Sequence, residues 1–156
     1  MSTETTRRLL GYDCVVLRAV PRPERGEQVN VGAVLYCQEA DFLGAAVDID
    51  ADRVRALDPD VDIDLLAAAL DSIRDVCAGA PCAGEAGTAN LRMRFGWLSA
   101  PRSTVLQPGP IHGGLTVDPA AELERLMVRM VRRPGPSAYG PGLLRPWSRT
   151  ELPPTC

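Results

Sequence analysis

Three apolar segments rich in β-branched residues, close to the start of the chain, constrain the fold more than any other feature of the sequence. They are residues 12–20 (YDCVVLRAV), 29–37 (VNVGAVLYC) and 42–50 (FLGAAVDID). Links of eight and four residues separate them. A parallel crossover needs about a dozen residues or more, whereas antiparallel strands can be joined by short turns. The three segments therefore predict an antiparallel meander.

After these segments the apolar pattern changes to a helical one. Asp50 is placed to cap a short helix, and Asp58, Asp60 and Asp62 add negative charge before a longer helix over residues 62–78. That longer helix has an apolar stripe at steps of three or four, formed by Ile63, Leu66, Leu70, Ile73 and Cys77. A last helix begins at Asp118-Pro119, and its predicted buried face consists of Leu123, Leu126, Met127, Met130 and Val131.

Two further strands are predicted between these helices. Alternation of apolar and polar residues in LRMRFGWL (91–98) predicts a fourth strand with Leu91, Met93, Phe95 and Trp97 inward, and residues 104–107 predict a short fifth. The predicted order is βββααββα. This order indicates an α+β fold, with one antiparallel, mostly meander sheet of about five strands and two or three helices packed on one face.

The domain limits follow from composition. Residues 1–10 are predicted to be a flexible N-terminus, and residues 11–133 a single α+β domain. Residues 134–156 contain many prolines and no periodicity, which predicts an extended or disordered tail. Within that tail, Leu143, Leu144 and Trp147 offer contacts to the domain or to a partner.

The composition excludes several classes of function. No apolar run approaches the roughly 20 residues of a membrane span, and no secretion signal is present, so we expect a cytoplasmic protein with no membrane contact. The five cysteines are expected to be reduced thiols, and their spacing predicts no metal site. The chain contains no lysine, which excludes Schiff-base chemistry and a phosphate-loop lysine. No cofactor motif is present.

The charge distribution favours a protein partner over nucleic acid. The net charge of the chain is −3, which argues against strong binding to a phosphate backbone. Residues 39–75 hold eleven acidic residues and three arginines, a net charge of −8, whereas residues 119–156 hold six arginines and three glutamates, a net charge of +3. An acidic flank and a basic end suit a protein partner.

The stretch APRSTVLQPGPIHGG (100–114) contains the single histidine and several polar side chains between turn-forming residues. A second polar connection, PRPERGEQVN (21–30), follows the first strand. If the two connections meet, Arg25 and Arg102 could clamp a carboxylate or phosphate, with His112 as acid or base and Glu27 orienting it. The alternative interpretation is that Asn30, Gln107 and His112 satisfy backbone groups where strands end. No G-x-S-x-G elbow surrounds Ser103.

These segments resemble a bacterial family, domain-of-unknown-function family 3037, over about residues 11–131. A-P-R-S-T with the following Gln and His, and the E-R-G-E…N-V-G stretch, are its hallmarks. The resemblance implies no activity, but it does imply the matching polar positions, and these are the candidate ligand-binding residues: Arg25, Glu27, Asn30, Arg102, Ser103, Thr104, Gln107 and His112. It also implies a role linked to a HipA-like kinase. The chain departs from the family where Gly109 and Gly113 replace the usual serine and threonine.

Two functions remain open at this stage. The first is a non-catalytic accessory or regulatory protein that binds a protein partner, with a HipA-like kinase as the partner the resemblance implies. The alternative is an enzyme or ligand-binding module for a phosphorylated or carboxylated small molecule, with His112 as the candidate catalytic residue.

Overall fold

The computed structural model describes residues 7–135. The predicted tail and its Leu143, Leu144 and Trp147 lie outside these residues, as does most of the predicted N-terminal segment. Among residues 7–135 there are five strands: β1 (Leu10–Ala19), β2 (Val29–Cys37), β3 (Phe42–Val47), β4 (Leu106–Pro108) and β5 (His112–Thr116). The helices are α1 (Ala51–Leu57), α2 (Ile63–Ala78), α3 (Glu85–Thr88), α4 (Leu91–Leu98) and α5 (Pro119–Leu126). A 3₁₀ turn, Pro81–Ala83, precedes α3, and a π-helical turn, Met127–Val131, continues α5.

The predicted α+β class and the single antiparallel five-stranded sheet are confirmed. Strands pair in the order β3-β2-β1-β4, and β5 also pairs with β1. The meander β1-β2-β3 agrees with the three apolar segments that predict it. β4 pairs with residues 17–19 of β1 and β5 with residues 10–14, so the two short strands follow one another along the same edge of β1. This arrangement places β1 in the centre of the sheet.

Helices cover both faces of the sheet, so the prediction that they pack on one face is wrong. Val15 and Leu17 of β1 pack in a core with Leu66 and Leu70 of α2. The alternate residue, Cys14, packs instead in a second core with α5 and the π turn. Successive side chains of a strand point to opposite faces, so α5 lies across the sheet from α2. The physical reason is that β1 and β2 carry apolar residues on both faces, and each face requires a cover.

The segment 91–98 forms the helix α4, so the predicted fourth strand is also wrong. Asn90 caps this helix, since its Oδ1 accepts a hydrogen bond from the Met93 N–H at 2.9 Å. Phe95 and Leu98, three residues apart, are buried, whereas Met93 and Trp97 are exposed. The apolar residues of this segment fit a period of two and a helical period equally well. The asparagine cap and burial at helical spacing favour the helix.

The predicted helix caps are confirmed at Asp50 and Asp62. The Asp50 carboxylate accepts from the Arg53 N–H at 3.2 Å, and Asp62 accepts from the Leu65 N–H at 2.9 Å. Helix α2 ends at Gly79, which adopts a φ of 67°, a conformation that glycine accommodates without strain. Asp58 differs from the prediction, because it is buried after the C-terminus of α1, where its Oδ1 accepts from the Arg22 Nη2 at 3.3 Å.

No helix within residues 7–135 has the length and apolar character needed to cross a membrane.

Candidate functional site

The two polar connections lie at the same end of the sheet. The Val20 N–H, at the start of the first connection, donates to the Val105 carbonyl oxygen at 2.6 Å. His112 lies elsewhere, because β5 pairs it with Cys14, six residues before Val20 along β1. At the rise of an extended strand, six residues span about 20 Å. The structure therefore brings residues near 20 and 105 together and leaves His112 in the middle of the sheet edge.

The four residues proposed as an anion clamp do not converge. Arg25 forms an exposed ion pair with Glu27 in its own loop. Arg102 donates from Nη2 to the Trp97 carbonyl oxygen at 3.1 Å. His112 is exposed, and within residues 7–135 its side chain makes no hydrogen bond. A general base must lie within hydrogen-bond reach of the group it serves, and within residues 7–135 His112 has no hydrogen bond to Arg25, Glu27 or Arg102.

Most of the polar residues in 102–107 hold their own segment in place. The Thr104 hydroxyl donates to the Leu106 carbonyl oxygen at 2.8 Å, and the Gln107 Nε2 donates to the Thr104 carbonyl oxygen at 2.8 Å. Ser103 is exposed, and the described part of the chain gives its hydroxyl no hydrogen-bond partner. With Arg102, these contacts fix an extended segment that would otherwise have unpaired carbonyl groups.

This fixed segment borders a groove along α2. One part of the groove has a volume of about 400 Å³, and its lining includes Leu65, Ala69 and Leu106. An adjoining part, also about 400 Å³, shares Ala69 and Leu106 and extends to Ile73 and Trp97. Because the two parts share lining residues, they form one elongated depression. We call it the α2 groove.

Large apolar side chains at the α2 groove are exposed to solvent. Leu65 is 66% exposed and Trp97 is 56% exposed. Contiguous exposed apolar surface is typical of binding sites. The two ends of the groove differ in charge, with Asp60 and Asp62 at one end and Arg102 at the other. The groove is therefore apolar along its length and polarised at its ends.

A polar row crosses the opposite face of the sheet. Arg18 of β1 is in register with Asn30 of β2 and with Gln107 of β4. Its position four residues after Cys14 places it on the face covered by α5. Asn30 contacts the π turn that continues α5, because its Nδ2 donates to the Met130 carbonyl oxygen at 2.8 Å. Two of the predicted site residues, Asn30 and Gln107, therefore flank a third residue that the prediction did not include.

Two residues at these candidate sites, Arg18 and Trp97, are not among the predicted site residues, although the sequence carries a signal for each. Arg18 is a charged residue inside an apolar strand, a position where charge is rare unless it has a role. A strand period places Trp97 in the core, whereas a helical period places it on the exposed face of α4, where the structure has it.

The buried cysteines have environments that suppress nucleophilic chemistry. Burial raises the pKa of the Cys77 thiol to about 12, with a smaller opposing effect from Arg94. Burial also raises the pKa of Cys14, assisted by the charge of Asp13. Cys82 is exposed, but a hydrogen bond to Asp75 raises its pKa. The thiolate is the reactive form, so these sites favour a structural role.

A labelling experiment tests this interpretation. Brief treatment of the native protein with iodoacetamide near neutral pH should alkylate Cys82 well before Cys14, Cys37 or Cys77, because only Cys82 among these four is exposed. Peptide mapping by mass spectrometry gives the order. In urea all four should react at similar rates. Alkylation of native Cys77 as fast as Cys82 would show that its thiol is accessible and activated.

Comparison with known proteins gives a family and no activity. Residues 14–131 match the model of the family described as "Protein of unknown function (DUF3037)". This is the family that the hallmark segments of the sequence indicate. No curated protein and no solved structure shows a significant similarity to the chain.

Proposed function

The chain belongs to the DUF3037 family, and from that premise we propose that it is a non-catalytic accessory protein whose α2 groove binds a segment of a protein partner. The observation that supports this most strongly is the exposure of Leu65 and Trp97 along one continuous depression. Interfaces concentrate their binding energy in a few residues, among which tryptophan is enriched.

The shape and charge of the α2 groove indicate the chemistry of the partner segment. The apolar lining favours leucine-like or aromatic side chains at its centre. The Asp60 and Asp62 carboxylates favour a basic residue at one end, and the Arg102 guanidinium favours an acidic residue or a chain carboxylate at the other. A partner segment of this composition would match the groove along its whole length.

The rigidity of the groove wall also supports binding. The extended segment is held by the hydrogen bonds of Arg102, Thr104 and Gln107 to backbone carbonyl groups. A surface that is fixed before the partner arrives loses less conformational entropy on binding. These polar residues, which the family hallmark includes, therefore act by shaping the surface.

A HipA-like kinase is the first partner to test, because the resemblance implies it. Co-expression of the tagged protein with the HipA-like kinase of its native host should yield a stable complex. Leu65→Glu and Trp97→Ala should each weaken that complex by about tenfold or more, since both remove an apolar anchor. Calorimetry or surface plasmon resonance measures the affinities.

The matched control is Val128→Glu. Val128 is also largely exposed, but it lies in the π turn on the opposite side of the sheet. This variant should bind like the wild type. Equal weakening by Val128→Glu and Leu65→Glu would move the binding surface away from the groove. Circular dichroism confirms that each variant remains folded.

A further inference from the structure

Arg18 carries a positive charge into the centre of the sheet, and no acidic side chain neutralises it. The residue is half-buried in β1, and among residues 7–135 it forms neither a hydrogen bond nor an ion pair. Its Nε is fully buried without a hydrogen-bond partner. Buried polar groups in folded proteins are nearly always paired, so the unpaired Nε requires an explanation.

Carboxylates that border this side of the sheet are paired with other groups. Glu122 accepts from the Tyr12 hydroxyl at 3.0 Å and from the Arg125 Nε at 2.7 Å. Asp48, whose N–H donates to the Val31 carbonyl oxygen next to Asn30, forms an ion pair with Arg132 at 3.4 Å. Within residues 7–135, Arg18 therefore has no carboxylate partner.

Two amide side chains belong to residues in register with Arg18, and each is held by one hydrogen bond. Asn30 and Gln107 are its cross-strand neighbours on β2 and β4. Each donates one hydrogen bond to a backbone carbonyl oxygen, Asn30 to Met130 and Gln107 to Thr104, both at 2.8 Å. A side-chain amide has two N–H donors, so one donor of each remains for a ligand.

The Arg18 guanidinium packs closely against Gly109, which has no side chain to obstruct it. A Cβ atom at this position would lie 3.0 Å from the Arg18 Cζ, closer than ordinary packing allows. The glycine backbone is itself anchored, because its N–H donates to the Val16 carbonyl oxygen at 2.7 Å. Because Gly109 has no Cβ atom, the Arg18 guanidinium can lie directly against its backbone.

The chain that borders this row has an uncommon conformation. Residues Met127–Val131 form a π-helical turn, and π-helical turns occur frequently at functional sites. The Met130 carbonyl of this turn holds Asn30. Arg129 of the same turn acts on the thiol of Cys14, on the Arg18 face of β1, so it adds positive charge to this side of the sheet.

We propose that Arg18, Asn30 and Gln107 form a binding site for a carboxylate. A guanidinium presents parallel N–H donors in one plane, which matches the two oxygens of a carboxylate. Asn30 and Gln107 lie on the two strands next to β1, about 4.8 Å away in the sheet, and each amide has a second N–H donor. The carboxylate could belong to a small organic acid or to the C-terminus of a peptide. This site is separate from the α2 groove, because it lies on the other face of the sheet.

Nuclear magnetic resonance tests the proposal directly. The full chain, labelled with ¹⁵N, is titrated with succinate, with a tetrapeptide acid and with its C-terminal amide, at constant ionic strength set by sodium chloride. We expect the Arg18 Nε–H resonance to shift and saturate with succinate, with the tetrapeptide acid, or with both. Whichever of the two binds more tightly identifies the source of the carboxylate. The peptide amide and chloride should produce no saturable shift.

The affinities of three variants for the acid test whether Arg18 and Gln107 form the carboxylate site. Arg18→Gln should weaken binding of the effective acid by about tenfold or more, because it removes the charge-assisted hydrogen bonds. Gln107→Met leaves the charge and the strand in place and should weaken binding by a smaller factor. Arg92→Gln, which removes an exposed arginine of α4 on the opposite face, should leave the affinity unchanged.

Two results would overturn the proposal. One is the absence of saturable binding of either acid to the wild type. The other is binding that Gln107→Met and Arg18→Gln leave unchanged. Gln107→Met retains the guanidinium and keeps the test valid if Arg18→Gln does not fold; because it also removes the Gln107–Thr104 hydrogen bond, circular dichroism confirms that it remains folded.

Discussion

Replacing Leu70 with alanine should lower the free energy of unfolding by about 2–5 kcal/mol. Leu70 is the centre of the α2 stripe, it is 0% exposed, and it packs against the β1 and β2 side chains of the sheet. Truncation removes buried apolar contacts and leaves a cavity that the surrounding strands can fill only in part. Urea unfolding followed by circular dichroism measures the change.

The control for this variant is Leu65→Ala on the same helix. Leu65 faces solvent, so its truncation should change stability by no more than about 0.5 kcal/mol. If the two variants were equally stable, the assignment of the α2 buried face would be wrong.

Met127→Ala should also cost about 2–5 kcal/mol, and it tests the second core. Met127 is 1% exposed and packs with Cys14 and Leu35 beneath the π turn. Met130, three residues later, is 42% exposed. Met130→Ala should therefore be close to neutral in the same urea experiment, although the sequence pattern assigned both methionines to the buried face.

The pair distinguishes two arrangements of the π turn. If both methionines lay on the buried face, as the sequence pattern predicts, Met127→Ala and Met130→Ala would destabilise the protein by similar amounts. A large cost for Met127→Ala alone supports the packing of Met127 with Cys14 and Leu35 and the exposure of Met130.

The long, regular segments of the fold were predictable from the sequence. The β1-β2-β3 meander is predictable because its apolar runs are joined by short links. Helix α2 is predictable because its apolar residues recur at helical spacing over about four turns. Aspartate caps and the terminal Gly79 set the limits of α2 to within one residue. Such segments are predictable because their burial pattern is repeated often enough to exclude the alternatives.

The errors arose where the pattern was short or carried two periods. Residues 91–98 alternate like a strand and also repeat like a helix, and only tertiary packing of Phe95 and Leu98 decides between them. The strand β5 contains two glycines and one histidine in five residues, so it has no strand signal of its own. It forms because β1 offers an unpaired edge beyond β4.

The candidate sites could be predicted only in part. The sequence identified Asn30, Arg102, Thr104 and Gln107 as polar residues in strand ends and connections, and it could not show that three of them hold a groove wall. The sequence does not predict that Arg18 is in register with Asn30 and Gln107. That register depends on the strand order and on the β2 bulge opposite Leu17 and Arg18. Ligand-binding roles for Arg25, Glu27, Ser103 and His112 stay predictions.

Amide hydrogen exchange in the presence of the partner tests the central claim, that this protein acts through the α2 groove. On adding the HipA-like kinase, exchange should slow in residues 62–76 and 102–106, which form the two walls. The exchange of residues 112–131, on β5, α5 and the π turn, should remain as in the free protein. Protection confined to residues 112–131, with the groove walls exchanging as before, would contradict the account.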